Sequence, residues 1–464
     1  MINITKDKNF KVVVNFLDEN KLTDDLKVLK EKELFKGKAG EVYNNLDLNN
    51  EGLIYVGLTN NDLEDLRMSG FNLGKLLNSR KINEVTLNVK QINDGETLQA
   101  ILEGLIDSQY NFNYYKVDKK EKESKELSFI NLKVDEEVIN NTYNLMKGVF
   151  EARDLVNLAP IDLYPESYAN RVLELFKDTK VEVEVLNKEQ IEKLNMKGLL
   201  AVNKGSIHEP KFIIYRFLNN PKTDKHLTVV GKGVTYDSGG YALKPATSMA
   251  SMKSDMAGSA AVVGLMKALN DNDIKTNVVG ITALTENMID GSAYKNGDVI
   301  STMKGTTIEV INTDAEGRIT LADAIYYAAT KLETSHIIEI STLTGAAVVA
   351  LGNHITGITT EDDKLYEEIH KAGLKAGEFN WRMPITKQLK ESVKSDIAEL
   401  KNAVPGGGGM MTAGIFLNHF AEDVPFIHLD IAGPSFGKPY KHLPNGASGI
   451  AVKTIYNYII NNQN

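Results

Sequence analysis

The sequence predicts an α/β protein of two domains. An N-terminal α/β domain is joined by a long helix to a larger C-terminal domain, whose mostly parallel sheet is flanked by helices. Three observations carry this reading. A chain of 464 residues exceeds what one ordinary hydrophobic core supports. From residue 160 onward, short β-branched runs alternate with stretches of helical period, the pattern of strands joined by crossover helices. Between the halves, Ile139, Tyr143, Met146, Phe150 and Leu155 keep roughly helical spacing until Asn157-Leu158-Ala159-Pro160 stops them. The expected boundaries are 1–135 for the first domain, 136–158 for the linking helix and 159–464 for the second domain.

In the first domain, Val12–Leu17, Leu53–Leu58 and Val85–Val89 read as strands, and Asp62–Leu77 and Thr97–Leu105 as helices. The mixed charges of Lys119–Glu126 suit an exposed loop. In the second domain the expected strands are Val181–Leu186, Phe212–Tyr215, Leu227–Gly231, Val278–Leu284, Thr307–Ile311, His336–Ile340 and Phe426–Ile431. Helical patterns cover Ala257–Leu269, Arg318–Ala329, Asp362–Ala372, Thr412–Phe420 and Gly446–Ile459. No internal repeat is evident.

Composition narrows the function. The chain is 42% hydrophobic and 25% charged with net charge −9, which argues against a nucleic-acid or acidic-lipid surface as its main partner. It has no cysteine, so disulfides, thiolate metal sites and cysteine nucleophiles are excluded. The first residues lack a signal-peptide pattern and no long apolar run occurs, so a cytoplasmic protein without a membrane span is expected.

Two stretches carry chemistry. In Asn312-Thr313-Asp314-Ala315-Glu316-Gly317-Arg318, two carboxylates stand two residues apart between an expected strand and an expected helix. That is where open α/β sheets bind ligands. The alternative is an N-cap at Asp314 with Glu316 as a first-turn acid. In Val230-Gly231-Lys232-Gly233-Val234-Thr235-Tyr236-Asp237-Ser238-Gly239-Gly240, a buried strand runs into a glycine-rich turn bearing Lys232 and Asp237; Lys244 and Asp255 follow. Lys232 alone would read as a strand-end lysine reaching water. Counted together, four carboxylates converging on one spot repel unless cations sit among them. Oxygen donors suit Mg²⁺ and Mn²⁺, and Zn²⁺ accepts them too, so four carboxylates match the charge of two divalent ions. The histidines show no His-Glu-x-x-His spacing, and the glycines no G-x-G-x-x-G, so a histidine zinc site and a dinucleotide site are not expected.

These two stretches resemble the leucine aminopeptidase (cytosol aminopeptidase) family of metallo-exopeptidases. The likeness extends to Arg153-Asp154-Leu155-Val156-Asn157, Ser341-Thr342-Leu343-Thr344-Gly345-Ala346, Trp381-Arg382-Met383-Pro384, Ser395-Asp396-Ile397-Ala398, His428-Leu429-Asp430-Ile431-Ala432-Gly433 and Gly446-Ala447-Ser448-Gly449. The N-terminal third matches in outline only. Gly406–Met411 is richer in glycine and methionine than the family pattern, and Gly433-Pro434-Ser435-Phe436 stands where a small residue and tryptophan are commoner.

The resemblance implies a role for each matching residue. One divalent metal (Mn or Zn) would be held by Lys232, Asp237, Asp255 and Glu316, and a second by Asp237, Asp314 and Glu316. Lys244 and Arg318 match the two catalytic positions; the first would stabilise the oxyanion and the second hold bicarbonate as general base. Met252, Thr342, Gly345 and Ala447 read as core residues or, by the resemblance, as walls of the pocket for the first side chain. The family also implies short peptide substrates with apolar N-terminal residues and a homohexamer. Rival readings are a dipeptidase narrowed to a substrate such as cysteinylglycine, and an additional DNA-binding role.

Overall fold

A computed structural model describes residues 2–5, 8–59, 62–118 and 123–462. The chain divides into two units: residues 1–146 with 439–444, and residues 147–438 with 445–464. The expected linking helix spans Glu137–Asn157, across the boundary between them.

The first unit is built on β1 (Ile2–Ile4), β2 (Val12–Leu17), β3 (Val42–Leu46), β4 (Gly52–Gly57), β5 (Glu84–Asn88) and β6 (Lys125–Ile130), in the order β1-β6-β5-β2-β4-β3. All pairings are parallel except the β3 edge. Helices Leu63–Arg80 and Gly95–Asp107 pack on each other, and Asp62 and Asp94 cap them by accepting backbone N–H bonds. The expected exposed loop at Lys119–Glu126 needs correcting. Residues 119–122 lie outside the described residues, and Lys125 and Glu126 open β6. Lys125 is buried, its ammonium donating to the Ile82 carbonyl at 2.8 Å, so a charge that reads as solvated is satisfied inside.

The second unit follows with β7 (Glu182–Leu186), β8 (Lys211–Leu218), β9 (His226–Asp237), β10 (Asn277–Asn287), β11 (Val299–Ser301), β12 (Thr307–Glu309) and β13 (Thr334–Ser341). After them come β14 (Thr356–Thr359), β15 (Asn380–Arg382), β16 (Leu400–Lys401), β17 (Phe426–Asp430), β18 (Phe436–Gly437) and β19 (Gly446–Ala447). The main sheet has the order β15-β14-β17-β13-β9-β10-β8-β7. Its centre, β10-β9-β13-β17, is parallel throughout; antiparallel pairings occur at β8–β10, β7–β8 and β14–β17. Alternate residues of β9 face opposite layers. Val230 joins a cluster with Ala324 and Ile325 of helix Gly317–Lys331, whereas Gly231 meets Gly258 of helix Ala257–Asp271. Ile281 and Ile337 are fully buried in the first of these layers, and truncating either to alanine is expected to cost about 2–5 kcal/mol.

Three local expectations are corrected. The strand read as ending at Gly231 continues to Asp237, so Lys232 and Asp237 lie on β9 itself and not on a turn. A side chain at position 231 would come within 2.5 Å of the Gly258 carbonyl oxygen; the glycines there serve close helix–strand packing. The strand before the acidic motif, β12, belongs to a separate three-stranded sheet, β11-β12-β16, and not to the main sheet. The last helix begins at Val452, because Gly446 and Ala447 form β19 against β18. Among the described residues no helix is long and apolar enough to cross a membrane.

Candidate metal centre

Two central strands end together at the site. In parallel register Asn287, the last residue of β10, lies opposite Asp237, the last of β9. The Asn287 amide donates to Asp237 Oδ1 at 2.8 Å and to the Thr313 carbonyl at 3.0 Å, so it joins the strand end to the acidic motif. Thr313 completes the connection. Its hydroxyl donates to the Gly239 carbonyl at 2.8 Å and accepts from the Ala242 N–H at 2.8 Å, holding the turn that leads to Lys244. From the other side, the buried Asn402 accepts from Ile311 N–H at 2.8 Å and donates to the Asn312 carbonyl at 2.6 Å. Neither acid of the motif caps the following helix: its N-cap is Glu316, which makes no side-chain cap bond. Both carboxylates remain available to a ligand.

The side chains converge as the charge argument requires. One oxygen from each of Asp237, Asp255 and Glu316 lies within 4.8 Å of the others, and all three residues are buried. Lys232 Nζ contacts Asp255 Oδ2 at 2.7 Å and Glu316 Oε1 at 2.9 Å. Lys244 Nζ contacts Asp237 Oδ2 at 2.7 Å and Asp314 Oδ1 at 2.5 Å, which draws Asp314 to the edge of the group. The Thr342 hydroxyl donates to Asp255 Oδ1 at 2.7 Å.

The electrostatics follow from crowding. On the protein's own charges, burial and Glu316 push Asp237 up to about 6 against the pull of both lysines. Burial likewise raises Asp255 and Asp314. For Glu316 burial is outweighed by Lys232 and Lys244, which hold it below the usual value. Burial also opposes the charge on the two lysines, but the surrounding carboxylates keep both ammoniums above theirs. Burial lowers Arg318 to about 10, with Glu316 and Asp430 resisting, and its Nε finds no hydrogen-bond partner among the described residues.

A cavity of about 360 Å³ opens on this cluster. Lys232, Asp237, Lys244, Asp255 and Asp314 lie on its wall, as do Met252, Thr342 and Gly345. Glu316 sits behind Lys232, and Arg318 is not among the lining residues. Ala447 does not line it either: it is fully buried and pairs with Phe436. Sequence reading missed Leu343, Val348, Ala432, Ser435 and Phe436 on the wall, and the positioning amides Asn287 and Asn402. An asparagine ending an otherwise apolar strand was the available signal for Asn287. A roomier groove of about 740 Å³ lies at the other ends of β9 and β13, but no carboxylate among the described residues lines it.

Comparison with known proteins agrees with this geometry. The description "Cytosol aminopeptidase family, catalytic domain" matches residues 150–456, and that family's N-terminal domain matches residues 1–119. A probable cytosol aminopeptidase of Treponema denticola is 44% identical over 96% of both chains. One from Clostridium tetani is 41% identical over 98% of this chain and 97% of its own. Among solved structures, the bottromycin maturation enzyme BotP in complex with Mn superposes with a TM-score of 0.88 at 28% identity, covering 97% of this chain and 98% of its own. A mutant of tomato leucine aminopeptidase gives 0.86 at 29% identity, covering 100% and 97%. With two converging carboxylate-bearing segments, two lysines among them and both domains of the family in sequence order, the chain belongs to the cytosol aminopeptidase family of metal-dependent peptide hydrolases.

Proposed function

We propose that the protein is a two-metal aminopeptidase that releases apolar, leucine-like first residues from short peptides. The observation that carries this reading is the buried cluster of Asp237, Asp255 and Glu316, with Asp314 joined to it through Lys244. The donor set fits divalent ions. Four carboxylates face two ammoniums, and Glu316 Oε2 is buried without a hydrogen-bond partner among the described residues. Lys232, Asp237, Asp255 and Glu316 would hold one ion, and Asp237, Asp314 and Glu316 the other. Mn²⁺ and Zn²⁺ both suit such donors, and the similar BotP structure contains Mn. Bound there, the ions supply a water acidic enough to attack a carbonyl and a positive centre for the substrate's free α-amine.

The chain's own residues do the rest. Lys244, on the cavity wall and kept charged by its carboxylate neighbours, donates to the carbonyl oxygen as negative charge develops on it. Arg318 would hold bicarbonate, since its planar fork matches two oxygens of one edge, and the anion bound there would supply a general base for the attacking water. Met252, Leu343, Val348 and Phe436 give the wall an apolar side against which a leucine-like side chain would lose water. A hexamer acting in the cytoplasm is the assembly and setting we expect.

The test is a set of aminoacyl-amides, with cysteinylglycine, assayed in Mn²⁺, Zn²⁺, Co²⁺ and Mg²⁺. Leucyl and methionyl amides should lead, and a rate confined to cysteinylglycine would replace this reading with a narrow dipeptidase. Lys244→Ala should keep its metals while kcat falls by roughly 10²–10³. Lys232→Ala should lose occupancy of one position, with added metal restoring part of the rate. The opposite pattern would reverse the roles of the two lysines.

A further inference from the structure

Behind the metal cluster, the central sheet carries a row of buried charge that the proposed chemistry does not use. β13 and β17 are parallel neighbours in which Glu339 pairs with His428 and Ser341 with Asp430. The two-residue period of a strand puts all four side chains on one face, and each is fully buried. His428 Nδ1 hydrogen-bonds Glu339, and its Nε2 lies 4.0 Å from Asp430 Oδ2. Burial opposes charge on the imidazole, but Glu339 and Asp430 outweigh it and raise its pKa. The Arg318 guanidinium feels the Asp430 carboxylate, and His428 feels the guanidinium, through space.

Asp430 is the member of the row that bonds to the cavity wall. Its Oδ2 accepts from the Thr344 hydroxyl at 2.7 Å; its Oδ1 accepts from Leu343 N–H at 3.3 Å and Ala432 N–H at 3.1 Å. Those three residues line the cavity. Thr344 in turn accepts from Ala347 N–H at 3.0 Å and so caps the helix Gly345–Leu351. One carboxylate thus fixes two stretches of the wall. Stability does not explain such a row. Buried ion pairs are often no better than well-packed apolar residues, and here Glu339 Oε1, Ser341 Oγ and His428 Nε2 remain without hydrogen-bond partners among the described residues.

We infer that Asp430, braced by the Glu339–His428 pair, is a positioning residue for peptide hydrolysis, setting the Leu343–Thr344 and Ala432 walls. The inference rests on the aminopeptidase reading. Asp430→Asn keeps the shape and removes the charge that accepts the Thr344, Leu343 and Ala432 hydrogen bonds. In the metal-loaded enzyme it should lower kcat about tenfold to a hundredfold, with a smaller change in KM, while metal content and melting temperature stay near wild type. Thr344→Val should act mainly on KM, and Thr344→Ser should recover most of that loss.

Because His428→Gln alone would strand a buried carboxylate, the brace is tested with the double variant Glu339→Gln/His428→Gln. Its loss should not add to that of Asp430→Asn in a cycle on kcat. Asp430→Asn within twofold of wild type in kcat and KM would overturn the inference. So would a loss that tracks metal content or melting temperature, or losses that add. The aminopeptidase reading fails separately, if wild type itself cleaves no aminoacyl-amide.

Discussion

Gly317→Ala should disable the site by moving Lys232. The Cβ of an alanine at 317 would lie 2.3 Å from Lys232 Cε and 2.6 Å from its Nζ, where ordinary contact begins near 3.4 Å. The side chain must therefore retreat by about 1.1 Å (3.4 − 2.3). It has little freedom to do so. Lys232 is only 3% exposed and its ammonium is held by Asp255 at 2.7 Å and Glu316 at 2.9 Å. Alanine is a better helix former than glycine and the contact is at the end of a side chain, so the fold should survive with a cost of about 1–3 kcal/mol. A displacement of ~1 Å in a catalytic site costs on the order of 10² in rate, or about 2.7 kcal/mol of transition-state stabilisation. The assay is kcat/KM on leucyl-p-nitroanilide with metal content and melting temperature measured on the same preparation. Gly291→Ala, where an added Cβ meets nothing within 4 Å, is the control. Gly317→Ala within threefold of wild type, with metal content unchanged, would show that Lys232 is not held as described.

Two further outcomes are expected. Burial pulls the His336 imidazole from 6.5 down to about 4, so the unfolded chain takes up that proton first. The stability it confers is fully present above pH 6.5 and is lost as pH falls toward 4. The loss is on the order of 2–3 kcal/mol, discounted for partial exposure. The stability gap between wild type and His336→Gln should shrink in acid; thermal melts at neutral and acid pH check it, and a gap independent of pH would refute it. The second concerns the substrate's free amine. An N-acetylated peptide should be cleaved far more slowly than its free counterpart, and equal rates would point to an endopeptidase or amidase.

The central strands were legible because Leu227–Val230, Val278–Ile281 and Ile337–Ile340 are rich in β-branched residues and leucine and buried on both faces, which leaves apolar runs broken only by Thr228, Gly280 and Glu339. The ends of β9 were not, because Gly231 and Gly233 read as turn residues although they answer to packing against helix Ala257–Asp271 and β10. The five carboxylate and lysine positions on the cavity wall were legible from residue type and spacing. The placement of Asp314–Glu316 on the main sheet was wrong, since β12 pairs with β11 and β16 and periodicity carries no information about which sheet a strand joins. Ala447, read as a core residue or by the resemblance as a pocket wall, proves to be core for a similar reason. Which small residue lines a cavity depends on contacts distant in sequence, and here Asn157 accepts the Ala447 N–H and holds it away from the wall.

Metal stoichiometry is the most direct test of the two-metal centre. Wild-type protein dialysed against Mn²⁺ or Zn²⁺ buffer and then freed of unbound ions should retain two divalent ions per chain by elemental analysis. Glu316→Ala, which removes a proposed bridging ligand and the partner of Lys232, should lose metal and activity together. A wild-type chain that holds no divalent ion and still hydrolyses leucyl-p-nitroanilide in chelator would contradict it.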